Sequence, residues 1–150
     1  MTPPDPNVEI WLRMYEEQIR HGRHHETLRS QATNLVVIMS GAALAFLASG
    51  NASKLDSSLL GAFIIAINVY GFLMSLKHYE RCRLHVAVAS RYRDVVSDAS
   101  PIDQLTINAA RRLAKREHQR FFPISRRLRA YVLWAGLHLV LACLGARFLF

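Results

Sequence analysis

The chain has 150 residues, of which 51% are hydrophobic, and a formal net charge of +8. That length makes one structural unit and excludes separate catalytic and membrane domains of ordinary size. Two cysteines, Cys82 and Cys143, leave no disulfide framework to stabilise a small secreted fold.

The mean hydropathy of +0.11 hides strong segregation. Charge is nearly missing from three runs: Ser30 to Ser53, Ser57 to Leu76, and Ala130 to Ala146. Each fits the length of a membrane-crossing helix, the third when its Phe148-Leu149-Phe150 tail is included. The expected fold is therefore an all-α membrane protein. It has three transmembrane helices, an N-terminal amphipathic helix and a cytoplasmic helical hairpin. In chain order these are an amphipathic helix over 6–29, span 1 over 31–50, span 2 over 57–76, the hairpin over 77–122 and span 3 over 129–149.

Asp5-Pro6 suits a helix start, Asp as cap and Pro at the first helical position. Val8, Trp11, Leu12, Tyr15 and Ile19 recur at helical spacing and form one apolar stripe. Gly22 is a candidate bend, and Arg29 marks the approach to the bilayer. The acidic start MTPPDPNVE lacks the basic flank of a cleaved leader, so the first apolar run reads as a retained span. Within it Gly41, Ala45 and Ser49 lie four apart. With Ala62 and Ala66 of the second span they are the expected helix-packing residues, because small side chains permit close contact in lipid. Packing within one chain is the preferred reading and a seam between copies the other.

The stretch from Ser57 to Asp98 passes from apolar to polar without a helix breaker, so one helix is expected throughout. Leu84, Val88, Tyr92 and Val95 mark its later apolar face. Ser97-Asp98-Ala99-Ser100-Pro101 breaks it, and Ser100-Pro101-Ile102-Asp103 supplies a cap, a leading Pro and an acidic first turn for the next helix. Ile102, Leu105, Ala109 and Leu113 form that helix's apolar side. Phe121-Phe122-Pro123 ends it, and Ser125 caps the last span.

Residues 77–129 carry thirteen basic and five acidic residues, whereas the turn at 50–57 holds only Lys54 and Asp56. Positive loops stay in the cytoplasm, so the N-terminus is expected inside and the C-terminus in the periplasm of a bacterial inner membrane. Arg111, Arg112, Lys115, Arg116, Arg120, Arg126, Arg127 and Arg129 are expected to meet anionic lipid headgroups or an anionic ligand. A nucleotide signal is a poorer fit, since there is no Gly-rich phosphate loop, and a basic stripe of the nucleic-acid-reading kind is missing.

Ser40, Asn68 and His138 fall near mid-depth, one in each span. Polar groups there face protein or a water-filled path. They are either a polar line along a pore or hydrogen-bonding groups between helices of one chain. The run HGRHHE at 21–26 places His21 and His25 on one helix face with Glu26 following. Without a second ligand cluster it reads as a basic juxtamembrane segment and not as a metal site. No catalytic residues, metal or cofactor are expected.

The amphipathic VEIWLRMYEEQIRHGRHHETLRSQATN, the tight two-span hairpin and the basic helical tail resemble small bacterial membrane effectors of the SLATT type. The likeness is architectural and covers about the first hundred residues. The third span at 130–149 departs from that pattern. The resemblance implies a membrane-disrupting oligomeric pore in nucleotide-signalled anti-phage defence. The expected function is thus a channel-like homo-oligomeric effector triggered through its basic hairpin. The alternative is a non-conducting scaffold that docks a cytoplasmic protein partner.

Overall fold

The computed structural model describes residues 6–50, 53–99, 104–121 and 130–149. Among them the fold is all-helical, comprising α1 (Pro6–Ala48), α2 (Lys54–Asp98), α3 (Gln104–Phe121) and α4 (Ala130–Ala146). The amphipathic segment and the first span belong to one helix, since no Pro lies between Pro6 and Ala48. Gly22 sits within α1 and is buried against α2. The chain leaves α1 through Gly50, whose φ of 74° is open to glycine at little cost.

The start of α2 is capped reciprocally. The Asp56 amide donates to Ser53 Oγ at 3.2 Å, and the Ser53 amide donates to Asp56 Oδ2 at 3.2 Å. This satisfies two backbone donors that a helix end would otherwise leave open. α2 then runs unbroken to Asp98. The capping sequence Ser100–Asp103 lies outside the described residues, as do Phe122-Pro123, Ser125, Arg126, Arg127 and Arg129.

α1 and α2 are long and apolar enough to cross a membrane, and α4 adds a shorter apolar helix over Tyr131–Ala146. This composition is compatible with a membrane protein. The 17 residues of α4 stand at the short end of the spanning range.

Contacts divide the chain into two compact units, and α1 and α2 contribute to both. The first comprises Met1–His24 and Arg81–Arg129. Here Trp11 of α1 meets Tyr92 of α2 with ring centroids 5.6 Å apart, and the His21 and His85 rings stack at 5.3 Å. His85 Nδ1 donates to Gln18 Oε1 at 2.7 Å. The α1 stripe thus finds its partner, although Leu12 at its edge is exposed. On α2 the packed side is centred on Ala89 and not on the expected Leu84 and Val95, which are exposed. Tyr92 keeps its expected place at the contact, and a shift of one residue step around the helix brings His85 there in place of Leu84.

The second unit comprises His25–Glu80 and Ala130–Phe150. Ala43, Leu47 and Ile64 form its apolar core, with Leu44, Leu60 and Phe148 packed on it. α2 and α4 cross at two glycines. A Cβ on Gly61 would stand 2.8 Å from the Gly145 carbonyl oxygen, and one on Gly145 would stand 3.0 Å from that of Gly61.

Candidate functional site

The second unit buries a polar layer between α1, α2 and α4. Thr33 and Ser40 lie seven residues apart on α1, two helical turns, so they share a face with Val36, Ala43 and Leu47. Asn68 lies on the α2 face that also carries Ile64, Gly71 and Ser75, and His138 lies in mid-α4. Thr33, Ser40, Asn68 and His138 are all at most 1% exposed.

Their hydrogen bonds close on one another. The Asn68 amide nitrogen donates both its hydrogens, to Ser40 Oγ at 2.8 Å and to the Ile64 carbonyl at 2.9 Å. Asn68 Oδ1 is then the acceptor for His138 Nδ1 at 3.2 Å. That bond places a ring proton on Nδ1 and leaves Nε2 to accept from the Thr33 hydroxyl at 3.4 Å. One ring proton thus serves both bonds of the imidazole, donated on Nδ1 and absent from Nε2. The His138 ring rests on the bare backbone of Gly71, where a Cβ would stand 2.7 Å from Nδ1. Ser75 is also buried, and its hydroxyl has no partner among the described residues.

A second polar cluster lies in the same unit. His25 Nδ1 and His78 Nδ1 are 3.2 Å apart, one ring donating to the other. Arg29 is buried and paired with Glu26, and Tyr79 stacks on Tyr131 of α4 at 4.3 Å. Two of the three HGRHHE histidines therefore face histidines of α2, His25 with His78 here and His21 with His85 in the first unit. Among the described residues no group of three or more His, Cys, Asp or Glu gathers as a metal would require.

The three polar residues singled out in the apolar runs, Ser40, Asn68 and His138, are thus brought together, one helix to each. Sequence reasoning missed Thr33, whose signal is its seven-residue spacing from Ser40. It also missed Gly71, one turn from Asn68. The packing residues do not behave as expected for contact within one chain. Gly41, Ala45, Ser49, Ala62 and Ala66 are all exposed, and a Cβ on Gly41 would meet nothing within 4 Å. The intramolecular contacts are made instead by Ala43 and Leu47 of α1 and by Gly61 and Ile64 of α2. A polar face decided this: Ser40 and Asn68 turn inward to bond, and their neighbours Gly41 and Ala66 are carried outward.

In α3, Arg111, Arg112, Lys115, Arg116 and Arg120 are exposed. Leu113, expected to bury with Ala109, is 65% exposed. Of the two cysteines, Cys82 is half-buried and Cys143 is exposed. No protein-family model, curated protein or solved structure matches the chain.

Proposed function

We propose that the chain is a three-span membrane anchor that does not itself conduct and that holds a basic helical segment for a cytoplasmic partner protein. The closure of the Ser40–Asn68–His138–Thr33 network supports this reading above all. Groups that line a water-filled path keep hydrogen-bonding capacity for water or an ion, whereas these spend theirs on each other. Such bonds hold helices together in lipid, at about 0.6–2 kcal/mol each. The charge bias of residues 77–129 favours the cytoplasmic face of a bacterial inner membrane for that segment and for the N-terminus, with the C-terminus in the periplasm.

One observation favours a second reading, the oligomeric pore effector. The small-residue faces Gly41-Ala45-Ser49 and Ala62-Ala66 are exposed and therefore available to a second copy. A pore of this kind runs between copies, and the bond between Asn68 and His138 must open before either residue lines it. Its trigger, a nucleotide or another anion, acts through the cations of α3.

Conductance in planar bilayers, measured beside native mass, separates the two. The anchor reading expects no conductance at any oligomeric state. Discrete conductance that Asn68→Leu or His138→Leu alters would overturn it in favour of the pore.

A further inference from the structure

We infer that the His25–His78 bridge is an acid-released clasp, which joins α1 to α2 just outside the apolar runs and parts when both imidazoles are charged. The two Nδ1 atoms stand 3.2 Å apart, and each ring is half-buried. A hydrogen bond between them holds one proton and needs a bare lone pair on the other ring. Each ring also has an Nε2 that can carry a proton. The joined pair therefore takes at most three protons and a single positive charge. Two imidazolium rings carry four protons, with N–H facing N–H, and that arrangement excludes the bond. The separated rings thus hold one proton more than the joined ones. The stability of the joined form rises with pH and is lost as the pH falls.

The charged neighbours of the bridge come in matched pairs. On α1, Glu26 pairs with Arg29, which lies one turn beyond His25 and is buried. On α2, Lys77 and Glu80 bracket His78 and pair with each other at 2.9 Å, and Cys82 follows His78 by one turn. From α4 comes Tyr131, stacked on Tyr79. Two carboxylates thus stand against two cations, with no surplus of negative charge to hold a second imidazolium. The histidine pair of the first unit is built differently. His85 Nδ1 donates to Gln18 Oε1, and His21 Nε2 stands 3.6 Å from Glu17 Oε1. Those rings meet by stacking, so a proton on His21 breaks no bond between rings and faces a carboxylate. Imidazole titrates between about pH 5 and 8, and at His25–His78 the geometry turns that titration into the loss of a contact.

The test is nitrogen-15 NMR of the full chain in mixed micelles, with labelled histidines whose rings are assigned through their own backbone resonances. Unfolding is measured alongside. At about pH 7.5 one Nδ1 should be protonated and the other bare, with scalar coupling between them across the hydrogen bond. The coupling should vanish by about pH 5.5, where both rings become imidazolium. Over that range the excluded proton should raise the unfolding constant by about tenfold more in wild type than in His78→Gln. Glutamine accepts as well as donates, so it lets His25 take a charge and keep its bond. His21→Gln should leave both the coupling and the acid response as in wild type. Absence of coupling at the higher pH overturns the inference, as does its persistence at the lower pH. Both are read in the wild-type chain, so they decide the matter even where a variant does not fold. An acid response that His78→Gln leaves unchanged also overturns it. So does a change in either ring when EDTA is added at the higher pH, which would put a metal ion in the proton's place.

Discussion

His138 rests its imidazole against the backbone of Gly71, so closely that a methyl group at position 71 would run into the ring. The glycine is what lets α4 present a histidine to Asn68. Gly71→Ala should therefore lower stability by about 1–3 kcal/mol, the usual cost of overpacking. His138→Ala removes the obstacle, so Gly71→Ala should cost much less in that background. Unfolding in mixed micelles, run as a double-mutant cycle, measures the difference. Additive losses would show that the two residues do not meet.

Asn68 should matter more than Ser40. Ser40→Ala removes one interhelical bond, worth about 0.6–2 kcal/mol in a membrane protein. Asn68→Ala frees Ser40 and His138 together and opens a cavity, for a loss of about 2–4 kcal/mol. Parallel unfolding curves rank the two, and equal losses would count against the shared amide.

Glycines at different positions should respond oppositely. Gly61→Ala and Gly145→Ala each press a methyl group into the facing helix backbone, which has no rotamer to yield. Both should destabilise by about 1–3 kcal/mol. Gly41→Ala meets open space, and its monomer stability should stay within about 0.5 kcal/mol of wild type, as for surface substitutions generally. Bulk at the same place is a probe of self-association. If copies pack through this face, Gly41→Leu should reduce the native mass to that of a monomer without changing the unfolding midpoint.

In the first unit, the Arg93 guanidinium donates to Asp94 Oδ1 at 2.8 Å and holds that carboxyl below its ordinary value of 3.8. Because the folded state favours the charged carboxylate, its small contribution to stability is present above the unfolded value. It fades as the pH falls through the lowered one. The pair is exposed, so the site itself should be observed. The Asp94 carboxyl resonance should titrate below 3.8 and move toward it in Arg93→Gln. A midpoint that Arg93→Gln leaves in place would remove the pairing as cause.

Much of the helical layout was legible in the residues, and the choice of faces was not. The unbroken run from Lys54 to Asp98 follows from the lack of a breaker, and Ser40, Asn68 and His138 stood out because polar atoms are rare in apolar runs. Which side of α1 packs was misread, since Gly41-Ala45-Ser49 and Ser40-Ala43-Leu47 are both at helical spacing. Only the position of Asn68 on α2 decides between them. Likewise HGRHHE by itself gives no hint that His21 and His25 are matched by His85 and His78, seven residues apart on another helix. The glycine crossing was invisible for the same reason. A small residue permits contact, and it is the facing surface that makes it.

The crossing of Gly61 and Gly145 also constrains how this chain can diverge. Glycine has no smaller replacement, so every substitution at either position adds atoms where the opposing backbone already stands. Ile64, whose side chain comes within 2.9 Å of a Cβ at position 145, can shrink, but the Gly61 carbonyl beside it cannot. Change at position 145 is therefore contingent on history. Loss of bulk at position 64 has to come first, and even then α2 and α4 must part before a larger residue is accommodated.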